Sequence, residues 1–228
     1  MKRILALTTV IVLLVLLAIW SPWLNWKIDL ANIFGVKKPD SIAGLQVSSL
    51  SGEIEIFIDN KSIGTVNREE SPFIVDRVEP RDHLVTLKKT GEFANSYATF
   101  NKLLTFEENS AVVIAYSIGP DEVFSEGHVI YTTKKGSDAV ESKLNINLNI
   151  DDFSFSYDGL PPERITGKST SQALDLNSQH TIKISKLGYE SLEFTILPET
   201  QEDRDKLKNF DLNLDIQLML QPVEVDVK

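Results

Sequence analysis

The sequence predicts an all-β protein, two tandem small β-sandwich domains preceded by one transmembrane helix, and three observations lead there. Apolar and polar residues alternate with period two over most of the chain beyond residue 43, which is the pattern of half-buried strands. Blocks of this alternation recur: Leu45 and Leu144 lie 99 positions apart, His83 and His180 lie 97 apart. One apolar run, Ile4 to Trp20, broken only by Thr8 and Thr9, stands at the amino end. Composition sets the outer bounds. A chain of 228 residues that is 42% hydrophobic and 25% charged can close a core in each of two β-domains. A net charge of −10 without a Lys/Arg cluster excludes a nucleic-acid partner. The absence of cysteine excludes disulfides, thiolate zinc sites, iron–sulfur clusters and a thiol nucleophile.

Residues 1–26 read as a transmembrane signal anchor. Lys2 and Arg3 precede the apolar run, whose roughly 20 positions at about 1.5 Å each come close to the ~30 Å hydrocarbon thickness. A cleaved signal peptide is the competing reading, but cleavage needs small side chains, and Trp20, Trp23 and Trp26 crowd the place where they would stand. Tryptophan at that depth belongs to the membrane interface. The basic start, against Lys27, Lys37 and Lys38 diluted by Asp29 and Asp40, puts the amino end inside and exports the rest from the cytoplasmic membrane. Residues 27–43, mixing Asn, Gly, Pro, Lys and Asp, read as a linker or stalk.

The first β-domain is expected over 44–120 and the second over 143–228, with a connector hairpin at 121–142. Leu45, Val47, Ile54, Ile56, Ile58 and Asp59 find gap-free counterparts in Leu144, Ile146, Phe153, Phe155, Tyr157 and Asp158. Inward positions stay apolar while outward ones vary, as core burial demands of two copies in one strand register. Asp59-Asn60 and Asp158-Gly159 end strands with residues that tolerate positive φ, and Gly91 and Gly188 make the next corner. Thr200 to Lys208, acidic first and basic last, reads as a short helix favoured by its dipole.

Ile58-Asp59-Asn60-Lys61, Ile63-Gly64-Thr65, His83 and Lys89-Thr90-Gly91 together resemble the PEGA domain, a small β-sandwich of bacterial and archaeal envelope proteins. The second copy, with Tyr157-Asp158-Gly159, His180 and Lys186-Leu187-Gly188-Tyr189, resembles the closing Lys-x-Gly-Tyr pattern of that family. The likeness spans most of 44–118 and 143–222, while the Pro-Gly-Ala stretch of the family name stands here as Gly52-Glu53-Ile54 and Asp151-Asp152-Phe153. The resemblance implies a surface or interaction module without catalytic residues.

Motifs for chemistry are sparse. His83, His128 and His180 are the three histidines, and two of them hold equivalent repeat positions, so they read as structural rather than as zinc ligands. Nucleophile elbows, zinc-hydrolase helices and phosphate-cradling glycine loops are missing from the sequence. The paired carboxylates Glu69-Glu70, Glu107-Glu108 and Asp151-Asp152 lack calcium-loop or glycosidase patterns and read as solvated turns. We therefore expect no catalytic, cofactor or metal residues. The leading expectation is a membrane-anchored, exported envelope protein that presents two PEGA-like domains for binding or scaffolding, with envelope proteins or cell-wall polymer as partners. A carbohydrate-binding module is the alternative, and an envelope enzyme the third.

Overall fold

In a computed structural model of the chain, the described residues are 42–136, 139 and 141–221. The expected anchor with Trp20, Trp23 and Trp26, and the stalk up to residue 41, lie outside them. Among the described residues no helix is long and apolar enough to cross a membrane.

The alternation resolves into strands throughout. Seven come first: β1 (Ala43–Ser49), β2 (Ile54–Ile58), β3 (Lys61–Val66), β4 (Phe73–Val78), β5 (Asp82–Lys89), β6 (Thr99–Thr105) and β7 (Ala111–Ser117). Strand β8 (Glu126–Lys134) follows alone. Seven more close the chain: β9 (Lys143–Leu148), β10 (Phe153–Tyr157), β11 (Glu163–Ile165), β12 (Ser169–Ala173), β13 (His180–Ser185), β14 (Leu192–Ile196) and β15 (Phe210–Gln217). A short helix α1 (Gln201–Lys206) starts where Thr200 Oγ1 accepts the Asp203 amide at 3.2 Å. Its buried Arg204 donates to the carbonyls of Leu176, Asn177, Pro198 and Glu199, tying down the crossing between β14 and β15.

These strands form three sheets, and each of the first seven has its counterpart in the last seven. Strands β3-β2-β5-β6 make one four-stranded sheet and β11-β10-β13-β14 the other. The remaining strands share a single seven-stranded sheet in the order β12-β9-β15-β8-β7-β1-β4. Counting outward from β8, equivalent strands stand at equal distances on its two sides. Both β7 and β15 run antiparallel to β8, so they run parallel to each other. Exchanging the two sides of a sheet while keeping strand direction is a half-turn about an axis along β8, and a half-turn also exchanges the faces. The two small sheets consequently cover opposite faces of the shared one.

Side-chain packing follows that geometry. Val129 and Tyr131 of β8 pack into the first core with Leu45, Val47, Ile54, Ile56 and Ile114. Ile130, pointing the other way, packs into the second with Leu144, Ile146, Phe153, Phe155 and Leu214. On the same face as Ile130, the His128 ring stacks on Phe194 of β14, with centroids 4.2 Å apart and planes 3° from parallel.

The structure corrects two expectations here. The connector hairpin foreseen at 121–142 holds a nine-residue strand in the middle of the largest sheet. The two sandwiches are also not separate domains, because strands of both share the seven-stranded sheet and the described residues form one compact unit with a β-sandwich-like, all-β build. The physical reason is in β8 itself. Its apolar residues occupy both alternating faces, a pattern that suits only a strand covered on both sides.

Burial without a partner for Nδ1 pushes the His128 pKa down from 6.5 to about 4. Between these values the unfolded chain takes up a proton that the folded chain refuses, so stability is lost as pH falls from about 6.5 and stops falling near 4. The loss amounts to about 3 kcal/mol. Urea unfolding at pH 7, 5.5 and 4.5 should show this slope in the native chain and a shallower one in His128→Phe.

Candidate functional site

The residues singled out by the repeat form corner locks, two kinds in each half. Asp59 (φ 50°) and Asn60 (φ 65°) make the two-residue turn between β2 and β3. With its backbone thus turned, Asp59 Oδ2 reaches His83 Nδ1 at 2.8 Å while Oδ1 accepts the Leu84 amide at 3.0 Å. His83 Nε2 lies 2.9 Å from the Glu79 carbonyl, so the buried ring is held from both ends. The second half repeats every contact. Asp158 Oδ2 meets His180 Nδ1 at 2.7 Å, Oδ1 accepts the Thr181 amide at 2.8 Å, and His180 Nε2 lies 2.7 Å from the Asp175 carbonyl. Asp158 (φ 52°) and Gly159 (φ 70°) supply the positive φ there.

The second kind of lock involves lysine. Lys186 Nζ donates to the Asp151 carbonyl at 2.6 Å and lies 5.6 Å from the centre of the Tyr189 ring. Its counterpart Lys89 donates to the Ser51 carbonyl and lies 5.7 Å from the Tyr97 ring centre. Gly91 and Gly188, both at positive φ, turn the chain just beyond. Gly64 faces Phe73, whose ring would come within 2.6 Å of any Cβ placed there. Each of these residues closes a corner of its own half. The structure brings Asp59 to His83 and Asp158 to His180, and leaves the two pairs apart in separate cores. Among the described residues no group of three or more His, Cys, Asp or Glu is placed to hold a metal ion.

A concave feature of the surface lies elsewhere. Strands β1, β7, β9 and β15 all run in one direction, so their far ends share the pole opposite Ala43, where the described chain begins. At that pole a cleft of about 420 Å³ opens between the β6 edge of the first small sheet and the uncovered β9–β15 surface of the shared sheet. Phe100 and Lys102 form one wall, Asn147, Asn149, Asp215 and Gln217 the floor. Glu122 and Ser125 from the β7–β8 loop close the end.

Asp215 organises the floor. Its Oδ2 pairs with Lys102 Nζ at 2.7 Å, and its Oδ1 accepts from Asn147 Nδ2 at 2.8 Å. Burial, then the Asp215 charge and a hydrogen bond to it, push the neighbouring Tyr131 hydroxyl up to about 12. Gln217 Nε2 donates to the Glu122 carbonyl at 2.8 Å. Asn149 both donates to and accepts from the Leu218 backbone, at 3.1 and 3.0 Å. Toward the closed end, the Phe100 and Tyr116 rings lie 4.7 Å apart.

The counterpart of this cleft differs at its central positions. Strand pairing makes Phe194 the equivalent of Lys102, Ala115 that of Asp215, and Ser48 that of Asn147. Where one half carries an ion pair, the other lays an aromatic ring across His128. Sequence reasoning gave none of the cleft residues a functional role. Their one sequence signal is the run of outward Asn, Asp and Gln in β9 and β15, where the equivalent strands β1 and β7 carry Gln, Ser, Val and Ala.

No family model matches the chain, and no curated protein matches it. Among solved structures, the Bacillus anthracis TIE protein aligns over 79% of this chain and 34% of that one, at 11% identity and a TM-score of 0.26. This chain thus spans about a third of that protein's length.

The corner locks set an acid limit. The His83 hydrogen bond and the Leu84 amide hold the Asp59 carboxyl below its usual 3.8. At Asp158 burial works in the opposite direction and is outweighed by His180 and the Thr181 amide. A depressed carboxyl stabilises the fold above its unfolded pKa and loses that contribution as pH falls through the folded value. Acid unfolding below pH 4 should therefore be blunted in an Asp59→Asn/Asp158→Asn double variant. At neutral pH, His83→Ala strips Asp59 and Glu79 of a partner and removes the ring packed edge-on against Phe106. Calorimetry should show a cost of about 2 kcal/mol, a melting point lower by about 4–8 °C.

Proposed function

We infer that this chain is a single-pass protein of the cytoplasmic membrane, amino end inside, whose exported part is a non-catalytic binding or scaffolding unit built from two fused PEGA-like modules. The basic start, the apolar run to Trp20 and the tryptophans at 20, 23 and 26 support the anchor. The duplicated Asp–His and Lys–aromatic corners fall on the residues that carry the family resemblance.

One observation carries the binding reading. A polar cleft of about 420 Å³ opens at the end of the β-body opposite Ala43, a recess into which a partner can fit. Asp215 is committed to Lys102 and Asn147, an arrangement that positions a surface and leaves no unengaged carboxylate on the floor for acid–base work.

The test combines orientation and contact in native membranes. Protease added to wall-stripped cells should digest the β-region, and a photo-crosslinker at position 217 should capture an envelope component that one at position 177, near the opposite pole, does not. Full protection of the β-region until lysis would reverse the orientation. Equal capture from both positions would remove the cleft from the binding surface.

A further inference from the structure

We propose that the cleft between β6 and the β9–β15 surface is a binding site for a neutral oligosaccharide. The assignment rests on the binding reading above and names its ligand class.

Charge narrows the choice first. The cation that reaches the floor, Lys102, is neutralised at 2.7 Å by Asp215, and Glu122 adds a negative group at the end. A phosphate, polyuronate or other anionic ligand would meet no unpaired cation on the floor. A lipid-like ligand would strip water from Asn147, Asn149, Asp215 and Gln217 without replacing it. A polyhydroxylated, uncharged ligand meets neither obstacle.

The donors and acceptors fit hydroxyl groups. Asn147 gives one amide N–H to Asp215, which leaves the other N–H and the carbonyl oxygen available. Gln217, donating to the Glu122 carbonyl, keeps the same pair. A primary amide offers a donor and an acceptor side by side, and a sugar hydroxyl is both at once. Sideways bonding within the floor fixes these amides before any ligand arrives, so little side-chain freedom is lost on binding. Phe100, half-buried on the wall, supplies an apolar ring face for the C–H side of a sugar.

The floor also continues beyond the cleft. Asn145 and Asn213 alternate with core residues Ile146, Leu212 and Leu214, so they face the same way as Asn147 and Asp215. Ser171 donates to Asn145 at 2.8 Å, Asn145 to Asn213 at 3.1 Å, and Asn213 to Thr133 at 3.0 Å. This strip of mutually bonded polar side chains crosses four strands, with Asn213 buried in its middle and Asn145 half-buried beside the exposed Asn147, so it braces the floor from below. The pseudo-equivalent face offers Gln46, Ser48, Val113 and Ala115 and lacks any such strip.

The experiment titrates the detergent-solubilised full chain with cellohexaose, laminarihexaose and chitohexaose, each by calorimetry. A hexagalacturonate and an uncharged Thr-Asn hexapeptide run beside them as anionic and strand-adding probes. At least one neutral hexasaccharide should bind with a Kd below about 1 mM. Asn147→Ala and Gln217→Ala should each weaken it about tenfold, and Ser48→Ala, at the equivalent position of the other half, should leave it unchanged. Melting curves of the three variants establish that each is folded. Absence of binding by all three neutral sugars, binding that ignores both cleft variants, or preference for the anionic sugar or the peptide overturns the assignment. If the sugars fail while crosslinks from position 217 persist, the glycan falls and the binding reading stands; if both fail, both fall.

Discussion

One strand that is buried on both faces holds this molecule together. Val129 and Tyr131 of β8 belong to one core and Ile130 to the other, while the backbone of the same strand is bonded to β7 on one side and β15 on the other. Without it, β7 and β15 would each end a sheet with unpaired amides and carbonyls, the exposed edge that β-proteins are under pressure to cover. The half-turn relation between the repeats follows from this constraint. A single strand can serve two equivalent partners running the same way only if they stand on its two sides, and their covering sheets then fall on opposite faces. Rigid fusion also alters what tandem modules can do, since fixed halves present one composite surface where linked ones would gain avidity through a flexible tether.

Duplication supplied two equivalent surfaces, and the copies then parted company at their centre. Lys102 and Asp215 bridge β6 to β15 on one side, whereas Phe194 lies over His128 on the other. Both contacts fasten a small sheet to the shared one, and the ion pair also joins one half to the other. The charged version leaves a polar recess beside it and the aromatic version fills its place with rings. The same fold thus carries a polar recess on one side and packed rings on the other.

Much of the local structure was legible because burial enforces it. The apolar positions paired by the repeat, such as Ile54 with Phe153 and Ile56 with Phe155, lie in the core or pack against it, where a slip of one position would turn apolar side chains into water. The corners at Asp59 and Asp158 were legible from turn chemistry, and that each reaches its histidine would have followed from asking why His83 and His180 keep equivalent places beside them. The segment 121–142 was misread because its polar ends suggest a hairpin, although Val129, Ile130 and Tyr131 in succession are the pattern of a strand covered on both sides. The cleft was illegible for a different reason. It joins β6 to β15, strands more than a hundred positions apart, and nothing in either strand alone says that they meet.

Native-state hydrogen exchange reads the central claim most directly. If β8 is the shared element, the slowest amides of β2 and β5 in one half and of β10 and β13 in the other should exchange with the same free energy and the same denaturant dependence as those of β8, because none can open without global unfolding. A second half that exchanged through its own, less costly opening, with β8 remaining protected beside β7, would contradict the account and return the two halves to the status of separate domains.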